Sequence, residues 1–290
     1  MGTSKSNPGI KPTPLLPPWA PEPPGSDPDH SDSNDQPKDS NSQSNSDGNN
    51  QSDSTETGIS TGDWATAKGR MTGFARGSNS AERRKALRGA AKSYVKGSGG
   101  AQTAAKSAVH GKAVGIRLGG ILSGIASEGT KRTFEQLGLG NLDNLSIESA
   151  FNKIAQHLCS NGATTEESIA NVAVISALAK LYEDFDLEDN DLDNLDRLSS
   201  EKVNEVIQCY VSSYVYEKWL HELGMSIEGK VDISTGNVVS LEEEVKEFVT
   251  SSISLEFSNT DLTRVDFYEG EGKKILDNIF QQAYEQIETL

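Results

Sequence analysis

The chain has 290 residues and a net charge of −16, enough for two domains of the usual ~100–200 residues. The charge is uneven: residues 1–61 carry −6, residues 62–132 carry +11 and residues 133–290 carry −21, which argues against one uniformly charged globule. Two cysteines, Cys159 and Cys209, exclude a disulfide framework and a cysteine metal motif. No run of about 18 apolar residues marks a membrane span, and no basic-then-apolar start marks a secretory signal. A reducing cytoplasm is therefore expected, with both thiols in helical cores.

Residues 1–24 are rich in proline, which removes backbone donors and favours an extended polyproline conformation. Leu15, Leu16 and Trp19 form an apolar patch in this tip and read as an anchor that partner proteins grip. The start matches Met-Gly-x-x-x-Ser, a myristoylation pattern. Its firmer content is that Gly2 is small, so Met1 should be removable to leave a glycine amine. Such an α-amine has a pKa of about 7.7–8.0 against about 10.4 for lysine, so it is a usable nucleophile near neutrality. Residues 25–61 are Ser, Asp, Asn, Gln and Gly, with too few apolar side chains to offset ordering entropy. The whole of 1–60 is expected to be a disordered arm.

A basic helical region, 61–132, follows. Thr61 or Asp63 can cap a helix to about Arg76, with Trp64, Met71 and Phe74 as anchors. Gly77-Ser-Asn breaks it. Ser80 is expected to cap a second helix, Ala81 to Lys96, which carries Arg83, Arg84, Lys85, Arg88, Lys92 and Lys96. Residues 101–129 are Ala/Gly-rich, with Gly111, Gly115 and Gly119 four apart and Gly120 and Gly124 likewise. That spacing lets two helix backbones approach closely. Tight packing in a soluble body is the expected use, and a membrane-acting effector is the rival.

The acidic domain, 133–290, also reads as helical. Ser146 opens a helix to about Leu158 with Ile147, Phe151, Ile154 and Leu158 on one face. Thr164-x-x-Glu167 is a capping box, and its helix places Ile169, Val172, Ala173, Ile175, Leu178 and Tyr182 on a broad stripe. A long helix from about Ser199 to Leu223 buries Val203, Val206, Ile207, Tyr210, Tyr214 and Val215. Residues 226–240 suggest a small hairpin, and Ser240-x-x-Glu243 a capping box for the next helix. The last helix, about Glu271 to Glu288, has one continuous apolar face from Ile275 to Ile287. The fold expected is mainly α, a helical body behind a long disordered arm.

The acidic run Glu183 to Asp196 lacks the glycine and terminal glutamate of a calcium loop and reads as a solvated turn. His30, His110, His157 and His221 are scattered. No nucleophile elbow, phosphate loop, dinucleotide fingerprint or zinc-protease motif occurs. A non-enzymatic protein with no cofactor and no metal is expected. The basic helices, with Arg83, Arg84, Arg88 and Lys92 at their centre, are read first as a docking face for a protein partner or the acidic domain. They are read second as a nucleic-acid face.

Met1-Gly-Thr-Ser with Pro14-Leu-Leu-Pro-Pro-Trp-Ala20, then Arg70-Met-Thr-Gly-Phe-Ala-Arg76, Ala86-Leu-Arg-Gly-Ala-Ala-Lys-Ser-Tyr94 and Gly97-Ser-Gly-Gly-Ala-Gln-Thr-Ala-Ala105, resemble the QatB family. That family is the adaptor-like component of the bacterial Qat anti-phage system. The resemblance covers roughly the first 130 residues and leaves the acidic half unmatched. It implies an ATPase (QatA), a QueC-like enzyme (QatC) and a TatD-like nuclease (QatD) as partners. It further implies that a QueC-like enzyme joins a deazaguanine to the N-terminal glycine, with Gly2 as acceptor and Thr3 and Ser4 as recognition context.

Overall fold

The computed structural model describes residues 61–140, 146–159, 161–184, 195–196, 198–224, 235–253, 262–267 and 270–290. The arm, with Gly2, Thr3, Ser4, Leu15, Leu16 and Trp19, lies outside the described residues, as does most of the acidic run. Among the described residues there are ten α-helices and no strand. They are α1 (Thr61–Arg76), α2 (Ser80–Gly97), α3 (Ala101–Ser107), α4 (Val109–Glu128), α5 (Thr130–Gln136), α6 (Ile147–Leu158), α7 (Thr165–Glu183), α8 (Ser200–Leu223), α9 (Thr235–Ser252) and α10 (Gly270–Thr289). A 3-10 turn at Leu262–Arg264 precedes α10. The described helices fall in one compact unit, Thr55–Leu290.

Side-chain caps open four of the ten helices, α2, α6, α7 and α8. Ser146 Oγ accepts from Ser149 N at 3.2 Å, and Ser199 Oγ accepts from Lys202 N at 3.3 Å. The capping box at α7 is complete: Glu167 N donates to Thr164 Oγ1 at 3.2 Å and Thr164 N donates to Glu167 Oε2 at 3.0 Å. The α2 start differs from expectation by one residue. Asn79, not Ser80, is the cap, because its side-chain carbonyl accepts from Glu82 N at 2.9 Å.

Helix α4 packs on α5, α7, α8 and α10, and its glycines explain how. A Cβ on Gly111 would meet the Tyr214 ring at 2.5 Å, and one on Gly119 would meet the Phe267 ring at 2.4 Å. A Cβ on Gly115 would lie 2.9 Å from Leu276. The glycine row thus serves close packing, as expected, but it admits side chains from α8, α10 and the segment before α10 rather than a second backbone. Tyr210 completes the seat by donating its hydroxyl to Gly111 O at 2.6 Å. No helix among the described residues is long and apolar enough to cross a membrane.

Helix α8 is buried nearly all round, with Val203, Val206, Ile207, Tyr210, Tyr214 and Val215 joined by Val211, Trp219 and Leu223. The apolar face of α10 is buried as expected, with Ile275 at its edge. On α7 the stripe is corrected. Ile169, Ala173 and Leu178 are buried, but Val172 is 42% exposed and Ile175 57%. Ala170, Val174, Ala177 and Leu181 take their place. Three helices, α4, α6 and α8, converge on α7, and its alanine side lets them come close, which turns the bulkier pair outward.

The 226–240 reading is also corrected where it can be seen. Residues 235–240 are helical, so the hairpin does not extend over them and Ser240 sits inside α9 as an exposed residue, not a cap. Residues 225–234 lie outside the described residues. Leu241, Val245, Phe248 and Val249 bury one face of α9. Once that packing holds the helix, extending it adds one hydrogen bond per residue at little further cost, so local β-branched character does not stop it.

Candidate partner-binding surface

Helices α1 and α2 pack against each other along their length. Gly77 N donates to Phe74 O at 3.1 Å and ends α1, and the Asn79 cap starts α2. Ala67, Met71 and Phe74 of α1 and Leu87, Ala90, Ala91, Tyr94 and Val95 of α2 are buried. With 3.6 residues per turn, burying that side of α2 turns Arg84, Lys85, Arg88, Lys92 and Lys96 outward. Arg84, Lys85, Arg88 and Lys96 are exposed and Lys92 is half-buried. None of the five makes an ion pair among the described residues. Arg70 of α1 lies alongside, its Nη1 donating to Gly89 O at 2.8 Å.

Arg83 is different. Its guanidinium pairs with Glu244 of α9 and sits 5.1 Å from the Phe74 ring centroid. Its side chain is only 27% exposed. Of the four basic residues singled out in the sequence, Arg84 and Arg88 are exposed, Lys92 is half-buried and Arg83 ties α2 to the acidic half of the chain. Beside it, a groove of about 450 Å³ lies between α2 and α9, lined by Ser80, Ala81, Arg84, Leu87, Glu244 and Phe248 among others. Lys112 and Asp277, 2.7 Å apart, form a second ion pair between the basic and acidic segments.

A polar cluster that sequence reading missed lies between α3, α7 and α8. Lys218 Nζ donates to Glu166 Oε1 at 2.9 Å and to Ser107 Oγ at 3.0 Å. Lys218 is 9% exposed. Ser107 Oγ donates its own proton to Ala104 O at 2.8 Å and Lys218 Nζ is shared between Ser107 and Glu166, so the three groups clamp α3, α7 and α8 together. The only sequence signal was a lysine at an apolar-face position of α8. Glu222, nearby in α8, has its carboxyl pushed up by burial, partly offset by Lys218 and His221.

Cys159 and Cys209 are free and half-buried at the edge of the core, not within it. Burial pushes both thiols up, against the direction a reactive thiolate needs. His110, His157 and His221 are exposed, and His30 lies outside the described residues. No group of His, Cys, Asp and Glu among the described residues could hold a metal. The described ends of the acidic run are engaged. Asp184 pairs with Lys202 at 2.9 Å, and Asp196 accepts from Thr130 N and Oγ1 at 2.5 Å each.

A protein-family model described as Qat anti-phage system associated protein QatB matches residues 99–287. The chain belongs to the QatB family. The match spans α3 to α10 almost whole, so it falls mainly on the acidic half, in which no motif was legible. Membership makes the chain a component of the Qat anti-phage defence system. No curated protein and no solved structure matches it.

Proposed function

We propose that this QatB-family protein is a non-enzymatic, partner-binding component of Qat defence whose N-terminal glycine is a substrate for modification. The QueC-like enzyme QatC attaches a group to the Gly2 amine after removal of Met1, reading Thr3 and Ser4. Leu15, Leu16 and Trp19 are the anchor it grips. The α2 surface, Arg84, Arg88 and Lys92 with Arg83 bracing it, engages a second, anionic partner. QatA, the ATPase, and QatD, the TatD-like nuclease, belong to the same assembly.

Membership of the QatB family carries this reading, since it places the chain in a multi-component system. The chemistry of the terminus supports it: an α-amine with a pKa of about 7.7–8.0 keeps a neutral fraction that Lys5 and Lys11 lack. The test is the intact mass and N-terminal peptide mass of the protein made alone and with QatC. An adduct on Gly2, lost when residues are added before Met1, is expected. A bare Gly2 in cells that resist phage would refute the modification.

A further inference from the structure

We infer that the α2 ridge binds the phosphate backbone of a nucleic-acid duplex without reading its sequence. The inference rests on α2 being a partner surface and names the class of that partner.

The geometry suits a linear polyanion. Arg84, Arg88, Lys92 and Lys96 are spaced four residues apart on α2, and Lys85 fills the gap beside Arg88. At 1.5 Å per residue the row is about 18 Å long, the rise of about five base pairs of duplex. Arg70, held against Gly89, widens the row on the α1 side.

The charges are uncompensated in a chain that has many carboxylates to offer. Residues 133–290 carry −21, yet none of the carboxylates of that half pairs with Arg84, Lys85, Arg88, Lys92 or Lys96 among the described residues. Like charges four apart on a helix repel, so the row costs helix stability until an anion arrives. On one side Glu244 and Glu247 line the groove next to Arg84. Glu244 is neutralised by Arg83, and Glu247 bounds the surface, so a phosphate strand runs along the Arg88–Lys92–Lys96 side.

The ridge lacks what a protein interface uses. Protein partners bind through aromatic and apolar anchors, whereas nucleic-acid surfaces are polar and strongly positive. Here Leu87 and Tyr94 face inward, and Phe74 lies under Arg83. Trp64 is half-buried, edge-on to Tyr94 with centroids 5.6 Å apart. No aromatic on this face is free to stack on an unpaired base, which favours duplex over single strand.

The test is fluorescence anisotropy of the full chain with a labelled duplex of ~30 bp of arbitrary sequence and with its single strand. With four to five phosphate contacts, the slope of log K against log salt should be about −3.6 to −4.5, a loss of ~150–500-fold from ~50 to ~200 mM KCl. The variant Arg84→Glu/Arg88→Glu/Lys92→Glu should lose binding. Lys131→Glu/Lys273→Glu/Lys274→Glu, with the same charge change on exposed residues of α5 and α10, should keep most of it. If the reversal variant misfolds by circular dichroism, Arg84→Gln/Arg88→Gln/Lys92→Gln should still make the slope shallower by about 2.7. Equal losses in ridge and control variants, or tighter binding of the single strand, would overturn the inference. No binding by wild type at ~50 mM KCl, with the ridge variant failing to co-purify with Qat proteins, would assign the ridge to an acidic protein partner and leave the surface reading intact. No binding together with unchanged co-purification would remove both.

Discussion

Gly119→Ala in α4 and Gly73→Ala in the last turn of α1 are the same change within a helix, and they should move stability in opposite directions. At Gly73 in α1 an added methyl meets nothing within 4 Å, so only helix propensity acts. Alanine is better than glycine there by about 0.5–1 kcal/mol, and the variant should gain about that much. At Gly119 in α4 the methyl would sit 2.4, 2.6 and 2.7 Å from three atoms of the Phe267 ring. Such overpacking costs about 1–3 kcal/mol where the neighbour cannot move, and Phe267 is 2% exposed. Set against the propensity gain, the net loss is up to about 2.5 kcal/mol, and the two variants differ by the overpacking cost itself, about 1–3 kcal/mol. For a body of this size each kcal/mol shifts Tm by roughly 2–4 °C. Thermal melts and urea titrations of the two variants should therefore part by several degrees, Gly73→Ala above wild type and Gly119→Ala below. Adding Phe267→Leu to Gly119→Ala should recover part of the loss, because the smaller side chain vacates the clash. If Gly119→Ala melts with Gly73→Ala, the α4 glycines are not seats for neighbouring side chains and the packing account fails.

Arg83→Ala should cost about 1–2 kcal/mol through its ion pair, its ring contact and its packed stem, while Arg84→Ala, one residue on and exposed, should stay within about 0.5 kcal/mol; equal urea midpoints would contradict the split. Glu222→Gln should raise Tm at pH 7 and give no gain near pH 4. Burial raises the folded pKa of Glu222 above its unfolded value, so protonation favours the fold, and that contribution is present below the unfolded pKa and lost as pH rises through the folded one. A gain that is the same at both pH values would rule out ionisation as its cause.

Much of this body was readable from residue order, and the reason is local. Caps at Ser146, Thr164 and Ser199 act within three residues of themselves, so they were visible without the fold. The apolar face of α10 has one period and one neighbour-facing side, so it too was legible. The outward turn of Arg84, Arg88 and Lys92 follows from the buried face of the same helix. What escaped depends on contacts far apart in the chain. Arg83 and Glu244 are 161 positions apart, so nothing near Arg83 distinguished it from Arg84. Which side of α7 is covered was decided by α4, α6 and α8 arriving on its alanines, leaving Val172 and Ile175 outside. The α9 start was misread because packing of Val245 and Phe248 carries a helix back through residues whose own preference is weak. The glycine row of α4 announced close packing by its spacing alone, but only the tertiary structure could say that Tyr214, Leu276 and Phe267 occupy the space, since those side chains come from parts of the chain that sequence distance does not bring near.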